Sequence, residues 1–259
     1  NINKNYFDQI MKYNIWKKIN FKESLYKKNH HSSKKWLISL KRKIIENFKI
    51  SKEKTINSKY FIASSPLPIF LLNLKKKRID ILDFGSGDHE IFFQLKNTVK
   101  KDKKVNIYTK EVKEVEKLYI DMKNKYLQNS KNVQLFIGKD IKKYDIIHLS
   151  DCLQYIQHWK KFLTEIVNKK PNYIFLNNLT AGSNNEYLTL QEYYGIKTPY
   201  RFFNLKKIIS FFKDYEVIFK SHYLNSILNI YGEYPQKNFK KKDRLIYPST
   251  IILKKKKND

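Results

Sequence analysis

Apolar positions along the chain follow two alternating rhythms. Short apolar runs of strand length recur at Ile79–Phe84, Val105–Thr109, Val133–Ile137, Tyr144–Ser150 and Tyr173–Leu176. The stretches between them, at 88–100, about 111–127 and 155–168, repeat apolar residues every three or four positions, the period of an amphipathic helix. In the last of these the spacing turns Trp159, Phe162, Leu163 and Ile166 inward. Strands spaced by helices imply right-handed crossovers and a mostly parallel sheet covered on both faces, an α/β fold.

The flanks add to this frame. The spacing in K-K-W-L-I-S-L-K-R-K-I-I-E-N-F (34–48) puts Trp36, Leu40, Ile44 and Phe48 on one stripe. That predicts a helix docked on the main domain; its Lys-rich polar face also fits a helix lying on a membrane surface. Residues 51–64 read as a polar linker. Ser65-Pro66 starts a helix carrying Leu67, Ile69, Phe70, Leu71, Leu72 and Leu74. Beyond residue 180 the rhythm breaks. T-A-G-S-N-N-E-Y-L-T-L-Q-E-Y-Y-G-I-K-T-P-Y-R-F-F-N is polar, aromatic and long for a connection, which predicts a lid or binding loop, or else a structured excursion that only covers the sheet. A helix over Leu205–Lys213 and two strands, Tyr215–Tyr223 and Leu245–Leu253, follow as a terminal antiparallel pair, bringing the sheet to seven strands; Lys254–Lys257 reads as a frayed tail. Residues 1–60 thus form a helical N-terminal extension and 61–259 the α/β domain.

Composition narrows the function. A hydrophobic content of 41%, with 15% aromatic residues, supplies a core and excludes wholesale disorder. The one cysteine, Cys152, excludes an intrachain disulfide framework and a Cys-based zinc site, and suits a reducing cytoplasm. The six His residues show no ligand spacing, so no metal is expected. No apolar run reaches a membrane span. The start lacks the apolar core and cleavage site of a signal peptide, and it lacks an initiator Met, as a fragment or incomplete gene product would. The net charge of +29 invites a nucleic-acid partner. Only Arg42, Arg78, Arg201 and Arg244 are arginines, however, and Arg is the residue of bidentate phosphate and base contacts. Scattered Lys beside abundant Asn, Ile and Tyr fits codon bias in an AT-rich genome, so a nucleic acid is not the favoured partner.

The chemistry concentrates in I-D-I-L-D-F-G-S-G-D-H-E (79–90), a strand that turns through glycines into a helix and presents backbone N–H groups to a ligand. A dinucleotide fingerprint, G-x-G-x-x-G, would need glycine where Glu90 stands, and a carboxylate there repels a pyrophosphate. S-adenosylmethionine (SAM) has no phosphate; its ammonium and sulfonium tolerate acidic neighbours. Asp83 is placed to orient the ammonium through water or backbone, while Gly85 and Gly87 let the chain pass close to the ligand. Glu111, after the second strand and 24 positions beyond Gly87, is placed to take both ribose hydroxyls, although it opens a Glu-rich helix in which any carboxylate could simply be solvated. Asp140, past the third strand, either accepts from the adenine amino group or caps a turn. Phe84 and Ser86 complete the turn and Ser150 closes the fourth strand; all eight form the predicted cofactor-binding set.

By I-L-D-F-G-S-G, the acid after strand two and the strand order, the chain resembles the class I SAM-dependent methyltransferases. Within them it is similar to a family found beside bacterial surface-polysaccharide genes. The closer resemblance rests on D-F-G-S-G, on S-D-C-L-Q-Y-I (150–156) and on Y-L-T-L-Q-E-Y-Y-G-I-K-T-P-Y-R-F-F-N (187–204), and it spans roughly residues 60–225. It implies a Rossmann-like methyltransferase fold, SAM as cofactor, and O-methylation of a glycan or surface-polysaccharide precursor. Asp88-His89-Glu90 departs from the small third residue that many methyltransferases carry in the turn. It keeps open a binding protein that retains the fold without the chemistry; an RNA methyltransferase is the other alternative.

Methyl transfer is a direct displacement, so the protein must hold the acceptor in line and exclude water, and a hydroxyl acceptor also benefits from a general base. The acceptor side falls after strands four and five. Gln154 and Tyr155 match the family segment as pocket residues, with a plain core aromatic as the alternative for Tyr155. Gln191, Tyr194, Tyr200 and Arg201 are placed to grip a sugar by hydrogen bonds and ring stacking. Tyr155, His158 and His222 are the candidate bases, His158 also reading as a helix-start residue and His148 as a core histidine within strand four.

Overall fold

A computed structural model describes residues 16–17, 30–52, 65–183, 185–193, 195–222, 236, 239–240, 243–245 and 248–257. The apolar runs become β2 (Arg78–Phe84), β3 (Lys104–Lys110), β4 (Val133–Ile137), β5 (Ile146–Ser150) and β6 (Tyr173–Leu179). With β10 (Tyr215–His222) and β11 (Ser249–Lys255) they make one seven-stranded sheet in the order β10-β11-β6-β5-β2-β3-β4. The pairs among β2 to β6 are parallel, and β11 is antiparallel to both its neighbours. The chain runs outward from β2 to β4 and then returns to lay β5 on the other side of β2, so the strand order reverses at the β2–β5 seam. In open α/β sheets that seam marks the ligand crevice, beyond the carboxyl ends of the strands.

Successive residues of a buried strand face opposite ways, and each face here has its own core. Ile79, Ile81, Val105, Ile107, Ile146 and Phe175 meet α1 (Lys34–Ile50), α2 (Leu67–Asn73), α3 (Glu90–Thr98) and α4 (Lys113–Lys123). Leu82, Ile147, Leu149, Ile174 and Leu176 meet α5 (Trp159–Asn168) and α6 (Leu205–Ile209). The predicted inward face of α5 holds, with Trp159, Leu163 and Ile166 buried and Phe162 packed at the margin. The stripe of α1 docks as its spacing predicts: Leu40 and Ile44 are buried, with Trp36 and Phe48 against the same cluster. Ser33 starts this helix by accepting a hydrogen bond from the Trp36 amide at 3.2 Å, satisfying one of the free amides of a first turn.

The last carbonyls of α2 find a partner far along the chain. Lys103, 7% exposed, sends its ammonium to the carbonyls of Leu71 (2.6 Å), Leu72 (3.4 Å) and Leu74. A cation there satisfies orphan acceptors and meets the negative end of the helix. Lys103→Met keeps the stem and removes the charge. It is expected to lower stability by about 2 kcal/mol, the range for hydrogen bonds from a charged donor, as measured by urea unfolding.

Several expectations change: the helix predicted over Leu205–Lys213 ends at Ile209, and the strand predicted to start at Leu245 starts at Ser249. Residues 180–204 are not a loop. They fold as β7 (Ala181–Gly182), β8 (Tyr187–Tyr193) and β9 (Ile196–Asn204), with β8 and β9 an antiparallel hairpin turning at Gly195, φ +76°. A short β1 (Trp16–Lys17) pairs with β8, giving a second sheet in the order β1-β8-β9-β7. The Lys254–Lys257 tail is not frayed at its start: Lys254 and Lys255 lie in β11, opposite Glu216 and Tyr215, because strands on both sides hold their backbone. The predicted 51–64 linker beyond Lys52, Tyr194, Tyr223 and most aromatic residues before residue 30 lie outside the described residues.

Candidate active site

The carboxyl end of β2 carries the glycine turn into α3. Gly85 (φ +73°) and Gly87 (φ +53°) both take the left-handed backbone that favours glycine. At Gly85 a Cβ would come within 2.6 Å of the Cys152 Cβ, so the turn also presses against the segment leaving β5. His89 starts α3 with φ +58° and turns its ring inward, fully buried and 4.0 Å from the Tyr119 ring. Neither His89 ring nitrogen has a hydrogen-bond partner, and burial lowers its pKa to about 4, against a raising influence from Asp83. Glu90 pairs with Gln94 at 2.8 Å along α3. The bulk of His89 and Glu90 is thus taken up by the core and the helix.

Glu111 comes back to the turn. Its Oε1 accepts from the Gly87 amide at 2.9 Å and from the Tyr119 hydroxyl at 3.5 Å, while that hydroxyl also reaches the Gly87 carbonyl at 2.5 Å. Burial raises the Glu111 pKa to about 7, the Gly87 hydrogen bond pulls it down, and the Asp83 charge adds to the rise. The amide that a dinucleotide's phosphates would use is therefore occupied by a carboxylate.

Asp83, 2% exposed, lies opposite His148 in the parallel β2–β5 register. Its Oδ1 is 2.7 Å from His148 Nδ1, and His148 Nε2 is 3.1 Å from Ser65 Oγ. Carboxylates gather around this point. Burial pushes the Cys152 thiol well up, and Glu111, Asp151 and Asp83 push it further. Tyr119 is raised by burial and then by Glu111, with Asp83 and Asp88 adding to it. Cys152 therefore stays a neutral thiol, a packing residue rather than a nucleophile. Asp83, Asp88 and Glu111 thus lie in or against the turn in a chain whose net charge is +29, and burial raises the neighbouring Asp151 to about 7.

The other predicted cofactor residues spread around this centre. Phe84 packs on Phe162 at 4.6 Å. Ser86 accepts from the His89 amide through its carbonyl at 3.0 Å. Ser150 accepts from Asn177 at 3.2 Å. Asp140 is exposed and engaged: Tyr144 donates to it at 2.5 Å, and Lys169 and Lys110 lie at 3.2 and 3.6 Å. Partial burial would raise its pKa, but the Tyr144 and Lys169 hydrogen bonds win and hold it below the usual range.

On the acceptor side, a 3-10 turn (Leu153–Tyr155) after β5 meets the β8–β9 hairpin. The Tyr155 hydroxyl donates to Gln191 Oε1 at 2.8 Å, and its ring lies 5.0 Å from Tyr200. Three predicted residues thus meet. Gln154 is buried, with Nε2 on Asp151, which holds φ +48°, and Oε1 unpartnered. Arg201 is drawn away into an ion pair with Glu186 at 2.7 Å. His158 is exposed at the start of α5 with no side-chain cap bond. His222 ends β10, and its side chain lies outside the described residues.

Sequence reading missed His30 and His31. The His30–Ser32 3-10 turn brings His30 Nδ1 to 2.8 Å from Thr198 Oγ1 in β9, and the His31 ring stands edge-on to Tyr155 at 4.7 Å and Trp36 at 4.9 Å. Burial lowers His30 to about 4 and His31 to about 3, the His30 charge adding to the latter, so both rings are neutral at pH 7. Tyr119 also went unseen, because its spacing from Glu111 reads as an ordinary core position of α4. On the other side of the turn, Asn47 of α1 donates to the Asp88 carbonyl at 3.3 Å.

Strand order, the antiparallel β11 and a glycine turn at the switch point define a Rossmann-like methyltransferase fold. Solved structures of similar fold include a Listeria monocytogenes protein taken to be a SAM-dependent methyltransferase, 11% identical over 73% of this chain and 97% of that one, with a TM-score of 0.46. Coclaurine N-methyltransferase, solved with N-methylheliamine and SAH, is 12% identical over 97% and 86% of the two chains, TM-score 0.48. The [4+2]-cyclase SpnF is 8% identical over 74% and 80%, TM-score 0.45. Likeness at this level says nothing of activity. No protein-family model matches the chain, and no curated relative matches it.

Proposed function

We propose that the protein is a SAM-dependent methyltransferase acting on a hydroxyl of a glycan or surface-polysaccharide precursor. The observation that carries the cofactor is the acidic turn: buried Asp83 ends β2, Asp88 follows Gly87, and Glu111 accepts from the Gly87 amide at 2.9 Å. A pyrophosphate would be repelled there, whereas a cationic sulfonium and an ammonium are attracted. Asp83 would face the ammonium, Glu111 the ribose hydroxyls, and Gly85 and Gly87 would let the backbone approach. When bound, SAM supplies a methyl group on a good leaving group. The chain's own task is to hold the acceptor oxygen in line, take up its proton and keep water out.

The acceptor assignment draws on the resemblance of 150–156 and 187–204 and on the wall formed by Tyr155, Gln191 and Tyr200. Rings and amides of this kind suit the faces and hydroxyls of a sugar. Residues 1–60 act in this reading as an extension, its 30–50 portion covering the turn through Asn47 and the hairpin through His30. Among the described residues no helix is long and apolar enough to cross a membrane. A cytoplasmic setting draws on the single cysteine.

The test uses SAM labelled with tritium in its methyl group, offered with sugar nucleotides and oligosaccharides or with structured RNA. Label is expected in carbohydrate. Label in RNA alone would favour the RNA reading, and bound SAM with no label in either would favour a non-catalytic binding protein.

A further inference from the structure

Resting on that reading, we infer that His148, fixed by Ser65, is a positioning residue for Asp83. Ser65 Oγ accepts from the Leu67 amide at 3.3 Å at the start of α2, so its hydroxyl proton is free to point at His148 Nε2, 3.1 Å away. Nε2 then accepts, and the ring's proton sits on Nδ1. Nδ1–H donates to Asp83 Oδ1 at 2.7 Å, and the carboxylate, an acceptor only, completes the chain. All three groups are buried: Ser65 is 8% exposed, His148 1% and Asp83 2%. Their directions are therefore set by one another rather than by water. The hydrogen bond to His148 engages Asp83 through Oδ1 and turns Oδ2 away from the ring. Oδ2 is the oxygen left for a cationic ligand at the turn.

The order carboxylate, Nδ1, Nε2, hydroxyl is also that of a hydrolytic triad. Here the Ser65 oxygen accepts from the Leu67 amide and is buried, so the hydroxyl serves the ring rather than a substrate. Removing the imidazole would leave Asp83 Oδ1 without its donor and the carboxylate free to swing away from the turn. Sequence alone pointed to Asp83; the cross-strand register supplies His148, and α2 supplies Ser65.

Two substitutions separate positioning from packing. In His148→Asn the amide nitrogen takes the place of Nδ1 and can still donate to Asp83. In His148→Gln, closer to histidine in volume, the amide reaches the Nε2 position instead. Titration with S-adenosylhomocysteine, the demethylated product, is expected to find His148→Asn within about threefold of the parent and His148→Gln weaker by about tenfold or more, the loss of one charge-assisted hydrogen bond. Gln binding as well as Asn, or better, would overturn the inference. Ser65→Ala, outside the sheet, keeps the test open if the strand variants do not fold. It is expected to weaken binding by about threefold, with Ser65→Thr restoring it, and unchanged affinity in Ser65→Ala would count against the relay. If the parent chain binds neither SAM nor its product, the cofactor reading and this inference fall together. If the parent binds and the variant order is reversed, this inference falls alone.

Discussion

Gly85→Ala is expected to lower stability by about 3 kcal/mol. Two costs add. An L-residue forced to φ +73° loses about 1–2 kcal/mol against glycine. The new methyl would also meet the Cys152 Cβ at 2.6 Å, and overpacking of that kind costs about 1–3 kcal/mol. In a protein of this size the unfolding midpoint should fall by roughly 10 °C. The two costs are separable by a double-mutant cycle. In a Cys152→Gly background the collision is gone, and Gly85→Ala should cost only the backbone share. An alanine variant as stable as the parent would mean that the β2 turn does not press on the segment after β5.

Glu111→Gln is expected to stabilise the protein at pH 8 and to leave it unchanged near pH 4.5. The folded pKa is raised from 4.5 to about 7, chiefly by burial. Below 4.5 both folded and unfolded states hold the proton. Between 4.5 and 7 only the folded state does, so this group's favourable contribution is lost as pH rises and is gone above 7. The whole window is worth on the order of 3 kcal/mol. Glutamine keeps an acceptor for the Gly87 amide and never ionises, so it escapes that loss. Urea unfolding of both proteins at the two pH values reads the difference directly. An equal gain at both values would assign the effect to packing. The same substitution should weaken binding of any ligand that donates hydroxyls to the carboxylate, the usual trade between stability and function.

Much of the frame was legible because burial wrote it into the composition. Buried parallel strands such as β2 and β5 read as continuous apolar runs, and α1 advertised Trp36, Leu40, Ile44 and Phe48 at helical spacing. The β8–β9 hairpin hid because Thr189, Gln191 and Thr198 are buried polar residues, which reverses the usual sign of the pattern. Gly195 punctuates its turn, but Pro199 inside β9 speaks against a strand. The lysines at the end of β11 looked like solvent-exposed tail, since sequence cannot show that strands on both sides hold their backbone. At the site, the turn and Glu111 follow from local spacing. His148 needs the strand register, and His30 meets Thr198 across 168 residues, a separation that carries no local signal.

The most direct measurement is calorimetric titration of the purified chain with SAM, with S-adenosylhomocysteine and with NAD. The cofactor assignment requires micromolar binding of SAM and of its product, lost in Asp83→Ala, and no heat with NAD. Binding of NAD, or silence with both SAM and its product, would contradict it.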